Sequence, residues 1–176
     1  MNISATTILE LPTVGTYRMD PQRSNIAYSG RHMFGVGKVH ATFALSSGEL
    51  RVAEPFTAST VSVTVAAASF TSSSAKRDKD VRAAGLLDVL TYPDISFAAD
   101  GLDNQGDRWQ LSGTVTAHGT TVPIRVIVDR ISAELDGIRV HARASHLDRY
   151  AFGINKGKGM VGRYLDLDLD VVAVPA

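Results

Sequence analysis

Leu165-Asp166-Leu167-Asp168-Leu169-Asp170-Val171 alternates apolar and acidic residues without a break. Successive side chains on an extended strand point to opposite faces. This stretch therefore builds a strand with one dry face and one wet face, the pattern of an antiparallel sheet rather than of a parallel sheet covered on both sides. Working outward, the same period of two recurs in Val61-Ser62-Val63-Thr64-Val65, in Leu111-Ser112-Gly113-Thr114-Val115, in Ile124-Arg125-Val126-Ile127-Val128 and in Ile138-Arg139-Val140-His141-Ala142. It also appears in Ile26-Ala27-Tyr28, Val39-His40-Ala41-Thr42-Phe43 and Ile95-Ser96-Phe97. Turn-forming residues lie between these runs: Ser46-Ser47-Gly48, Asn104-Gln105-Gly106-Asp107, His118-Gly119-Thr120 and Asp136-Gly137. Short polar connections of this kind predict hairpins.

One segment departs from the period. After Ser72-Ser73-Ser74, the residues Val81, Leu86, Leu87 and Leu90 recur at helical spacing. A helical insertion is expected around residues 75–90, capped by Ser73 or Ser74 and closed by Tyr92-Pro93. Asp78 and Arg82, four apart, are expected to pair on its surface. Residues 1–14 read as a tail, and one domain over 15–176 follows. About eight or nine strands with one helix fit either a closed barrel or a two-sheet sandwich, and the long runs 107–118, 121–135 and 138–148 favour the barrel.

The alternation predicts an inward set: Ile26, Tyr28, Val39, Phe43, Val61, Val63, Val65, Ile95, Phe97, Leu111, Val115, Ile124, Val126, Val128, Leu165, Leu167 and Leu169. Phe70, Leu86, Leu87 and Phe152 complete the candidate lining. Ala41, Ala99, Gly113, Ala142 and Ala144 share the inward parity. Small residues there suit a filled barrel that alternates large and small groups, and they suit equally a hollow one.

Composition excludes several classes. The 176 residues carry 18 basic and 18 acidic groups, so no global field draws the chain to nucleic acid. The absence of cysteine removes disulfides, thiolate nucleophiles and cysteine metal sites. No run approaches the ~20 apolar residues that span a bilayer, and no secretory leader is visible, so stable membrane insertion is not expected and a cytoplasmic location is. Asp166, Asp168 and Asp170 stand ~7 Å apart along one strand face, too far for neighbours to share one ion. The five histidines form no close metal-binding pair. Gly153 to Gly162 holds four glycines with Lys156 and Lys158 but lacks phosphate-loop spacing, and it reads as a loop between strands. No nucleophile–base–acid set stands out, so no catalytic residue and no metal ligand is assigned.

Four stretches, in order, resemble the YceI-like, lipocalin-like family. They are Tyr17-Arg18-Met19-Asp20-Pro21 through Tyr28, then Phe70-Thr71 with Arg77-Asp78, Leu86-Leu87-Asp88 and Tyr92-Pro93-Asp94-Ile95-Ser96-Phe97. Leu111-Ser112-Gly113-Thr114 through Gly119 with Val122-Pro123 follows, and then Asp148-Arg149-Tyr150-Ala151-Phe152-Gly153-Ile154. The likeness covers about Tyr17 to Val174. It implies an eight-stranded antiparallel barrel that holds a long apolar chain: a polyisoprenoid, an isoprenoid quinone or a fatty-acid derivative. It implies binding, transport or storage without catalysis, no required cofactor, and a homodimer. Three positions depart from the family pattern: Ala84-Gly85-Leu86-Leu87, Ala41 and Ala151. A charged head cannot follow its tail into an apolar interior without a large desolvation cost, so it is expected at the mouth, near Arg77, Arg82, Arg149 and Lys156. An enzyme acting on such a lipid and a ligand-free interaction or stress-related module stay open as the other two function classes.

Overall fold

The computed structural model describes residues 11–32 and 36–176; the first ten residues of the expected tail lie outside that range. The strands are β1 (Gly15–Met19), β2 (Asn25–His32), β3 (Gly37–Phe43), β4 (Leu45–Val52), β5 (Thr60–Ala66), β6 (Thr71–Ser72), β7 (Asp94–Asn104), β8 (Trp109–Ala117), β9 (Thr120–Ala133), β10 (Ile138–Asp148) and β11 (Val161–Pro175). Helix α1 spans Ala75–Arg82. Every strand pairs antiparallel with its neighbours.

The eleven segments build eight staves. β1 and β2 form one interrupted stave, β3 and β4 a second, β5 and β6 a third, and β7, β8, β9, β10 and β11 the other five. The 15-residue β11 closes the ring, because its first half pairs with β2 and its end with β1, Tyr17 opposite Pro175. The result is a closed eight-stranded antiparallel barrel, which removes the sandwich alternative.

The interruptions have local causes. Between β1 and β2 the Asp20 side chain accepts from the Gln22 amide and from the Arg23 guanidinium. Ser24 Oγ then accepts from the amide of Val172, a fully buried residue on β11. Between β3 and β4 only Ala44 steps out, its amide donating to Ser69 Oγ at 2.7 Å. The turn expected at Ser46-Ser47-Gly48 is therefore a correction: β4 runs straight through it, with a register shift between Leu45 and Ser47. Gly48 serves close approach instead, since a Cβ there would collide with the Met19 side chain. The other three turns fall where they were expected, and His118 and Gly119 both take the left-handed conformation of a tight hairpin.

The insertion between β6 and β7 covers one end of the barrel. Ser74 caps α1 by accepting from the Arg77 amide, and the helix stops at Arg82, short of Gly85. The expected Asp78–Arg82 pair is not formed. Asp78 is buried and accepts from the amide and hydroxyl of Ser72, while Arg82 Nη2 donates to the Phe70 carbonyl at 2.6 Å. Both side chains thus tie the helix down to β6 and the residue before it rather than to each other. The exposed helical pair is Lys76–Asp80.

Candidate functional site

The barrel encloses a cavity of about 280 Å³ that runs its length. Leu86, Leu87, Phe152 and Ile154 border it at the helix end, and Phe56, Trp109, Ile131 and Ile138 at the other. A strand of 11 residues such as β10 is ~36 Å long, and with the usual barrel tilt the lumen is ~25–30 Å deep. The volume sits at the lower edge of the ~300–1,000 Å³ of small-molecule sites. It is far above the ~10–15 Å³ that holds one water. The space is therefore long and narrow.

The wall follows from the strand period. Ile26, Tyr28, Phe43, Val61, Val63, Val65, Phe70, Leu86, Leu87, Ile95, Phe97, Leu111, Val115, Ile124, Val126, Phe152 and Leu167 all border the cavity. So do Val128, Leu165 and Leu169. Val39 does not. It is buried opposite Gly30, at the end of the β2–β3 pair, and falls outside the lumen. Leu90 also leaves the expected apolar face and is 97% exposed.

The alternation missed lining residues such as Met19, Phe56, Val81, Trp109 and Leu147. Met19 belongs to a strand too short to show a period. Phe56 comes from a single 3-10 turn, packing edge-on against Trp109 at 4.9 Å. Ala142 and Ala144 border the cavity, but Gly113 makes room for protein instead. A Cβ there would stand 2.9 Å from the Phe97 ring and 2.8 Å from Ala99 Cβ.

The cations divide. Among the described lining residues Arg149 is the one charged side chain. It is 4% exposed, and each guanidinium nitrogen donates to a main-chain carbonyl: Nε to Gly162 (2.9 Å), Nη1 to Ile154 (2.7 Å) and Nη2 to Val161 (3.0 Å). This clamp fastens the 3-10 turn Arg149–Phe152 to the start of β11. Burial lowers the Arg149 pKa. Arg77 lies half-buried on α1, with Nη1 3.4 Å from Ser72 Oγ. Arg82 holds the Phe70 carbonyl, and its Nε is buried without a partner among the described residues. Lys156 is exposed on the loop after the 3-10 turn. Arg77, Arg82 and Lys156 thus share the helix end with Arg149, but none of the three borders the cavity.

The outer face of the barrel is polar. His141 bridges Asp129 on β9 and Asp168 on β11, at 2.6 and 2.7 Å. The Asp129 contact, foremost, raises the His141 pKa, partial burial opposes it, and the Asp168 contact adds to it. Asp170 accepts from Arg139 and Asp166 from the His146 amide, so the acidic stripe of β11 is tied to its neighbour strand. Among the described residues no cluster of three or more His, Cys, Asp or Glu is placed to hold a metal ion. No helix among them is long and apolar enough to cross a membrane.

A closed eight-stranded barrel with an apolar lumen and a helical cap is thus established, and the YceI-like domain profile matches residues 17–173. The chain belongs to the YceI-like family. A UPF0312 protein of Pseudomonas putida is 33% identical over 167 residues, covering 90% of this chain and 85% of that protein. Another, from Azotobacter vinelandii, is 31% identical over 122 residues, covering 66% and 64%. Two solved structures share the fold of this YceI-like chain. BcnA of Burkholderia cenocepacia superposes with a TM-score of 0.78 at 17% identity, covering 89% of this chain and 99% of that one. A polyisoprenoid binding domain from Saccharophagus degradans, implicated in plant cell wall breakdown, superposes with a TM-score of 0.68 at 15% identity, covering 93% and 100%.

Proposed function

We propose that this protein binds, without catalysis, one long apolar chain in its lumen, and carries or stores a polyisoprenoid, an isoprenoid quinone or a fatty-acid derivative. The observation that carries the reading is the wall: a ~25–30 Å channel whose described lining holds a single charged group. Each ~100 Å² of tail surface taken from water contributes ~2.5 kcal/mol. The driving force therefore grows with chain length and needs no reactive side chain. The polyisoprenoid binding domain that shares the fold supports the same ligand class. The head of the ligand rests at the helix end, where Arg149 borders the lumen and Arg77, Arg82 and Lys156 stand outside it. The test is native mass spectrometry of the purified protein, before and after addition of palmitate and farnesyl phosphate. One-to-one adducts are expected. A bare mass in every spectrum overturns the reading.

A further inference from the structure

Tyr28 interrupts the aliphatic wall. Its ring meets Phe70 edge-on at 5.5 Å, and Phe70 meets Phe43 at 5.4 Å, so three aromatics gather near the helix end of the lumen. The phenol lies along β2 over Gly30, two residues on and on the same face. A Cβ at position 30 would stand 2.6 Å from the hydroxyl and 3.0 Å from Cζ. Gly30 takes no left-handed conformation, so space for this ring is its visible role.

Buried tyrosine hydroxyls ordinarily find a hydrogen-bond partner. Tyr28 is half-buried, and its hydroxyl borders the cavity with no hydrogen-bond partner among the described residues. Burial raises its pKa, while the positive charges of Arg149 and Arg77 pull the other way. The hydroxyl is therefore a neutral donor held in a positive field. Arg149 itself has no carboxylate partner among the described residues. A guanidinium carries five N–H groups, and its three bonds go to neutral carbonyls; the Tyr150 ring 5.0 Å away and the Asp148 carboxylate, itself paired with Arg163, offset part of the charge.

We propose that the Tyr28 hydroxyl is the head-recognition group of the lumen. It donates to an anionic oxygen of the ligand, a carboxylate or phosphate at the end of an apolar tail, and the charge of Arg149 stabilises that oxygen. This rests on the lumen being the ligand site. It assigns the site a preference for acidic amphiphiles over neutral chains of equal length, because an oxyanion accepts a charge-assisted bond from the open hydroxyl and also gains from the nearby positive charge.

Tyr28→Phe keeps the ring and removes only the donor. Affinities of the wild type and the variant are compared for palmitate, farnesyl phosphate and the neutral 1-hexadecanol. Loss of one hydrogen bond to a charged acceptor is expected to weaken palmitate and farnesyl phosphate about 10-fold or more. Hexadecanol should stay within ~2-fold, since a neutral head has no charge-assisted bond to lose. A drop for only one of the two anions identifies which oxyanion the site takes and supports the assignment. Gly30→Ala, which displaces the hydroxyl while keeping it, should show the same selectivity. Equal weakening of all three probes, or none, overturns the assignment while leaving the lumen reading intact. A wild-type protein that binds no probe overturns both. The thermal stability of Tyr28→Phe should not fall, because no structural hydrogen bond is lost; a clear fall would show that the hydroxyl serves the fold.

Discussion

Replacing Arg149 with methionine keeps most of the aliphatic stem and removes a guanidinium that serves three carbonyls, those of Ile154, Val161 and Gly162. A hydrogen bond from a charged donor contributes ~1.5–3 kcal/mol, and a stranded buried acceptor costs ~1–3 kcal/mol. Part of this loss is offset, because burial already disfavours the Arg149 charge. A net destabilisation of ~3–5 kcal/mol remains, the range seen when one partner of a buried charged contact is removed. For a domain of this size each kcal/mol lowers Tm by ~2–4 °C, so the variant should melt about 6–20 °C below the wild type. Differential scanning calorimetry measures it directly. Arg149→Lys should recover only a fraction, since a single ammonium cannot span three acceptors set by a planar fork. A methionine variant melting within ~2 °C of the wild type would refute the clamp.

Val63, in the middle of β5, faces the cavity. Val63→Trp should fill the lumen and abolish palmitate uptake, while the added bulk costs no more than the ~1–3 kcal/mol of ordinary overpacking. Undiminished uptake by a folded variant would count against the channel. The His141 bridge gives a signed pH dependence. Its pKa is raised above the usual 6.5, so its contribution is fully present below about pH 6.5 and is lost as pH rises through the folded value. The Tm gap between the wild type and His141→Gln should therefore be wider at pH 6 than at pH 9, and a gap that grows with pH would contradict the bridge. Screening keeps the effect small, because the ring is partly exposed.

The barrel wall was legible because its period and its geometry are the same fact. Once a sheet closes, one parity of every strand is the lumen, and Val61, Val63 and Val65 declare it in five residues. What failed needed distance information. Ser46-Ser47-Gly48 has the composition of a turn, but Gly48 is small to admit Met19 from the neighbouring strand, a contact no local pattern encodes. Asp78 and Arg82 have the spacing of a helical pair, yet Ser72 and the Phe70 carbonyl offer each a partner within the structure. By strand parity alone His141 is an ordinary wet-face residue. Its two carboxylates come from strands on either side, in a register that a shift between His141 and Ala142 sets. The role of Arg149 was half visible: the motif marked it, but only the folded loop shows that its nitrogens bind carbonyls.

The seam between β1 and β11 has a consequence for how the molecule is made. Tyr17 meets Pro175, and the Ala176 amide donates to the Thr16 carbonyl at 2.9 Å. During translation β1 leaves the ribosome well before β11 and waits for a partner about 150 residues further along the chain. Pairings this remote fold slowly. Until they form, the nascent sheet is an open strip with two unsatisfied borders and its aliphatic face uncovered, the state in which such a chain is most prone to aggregate.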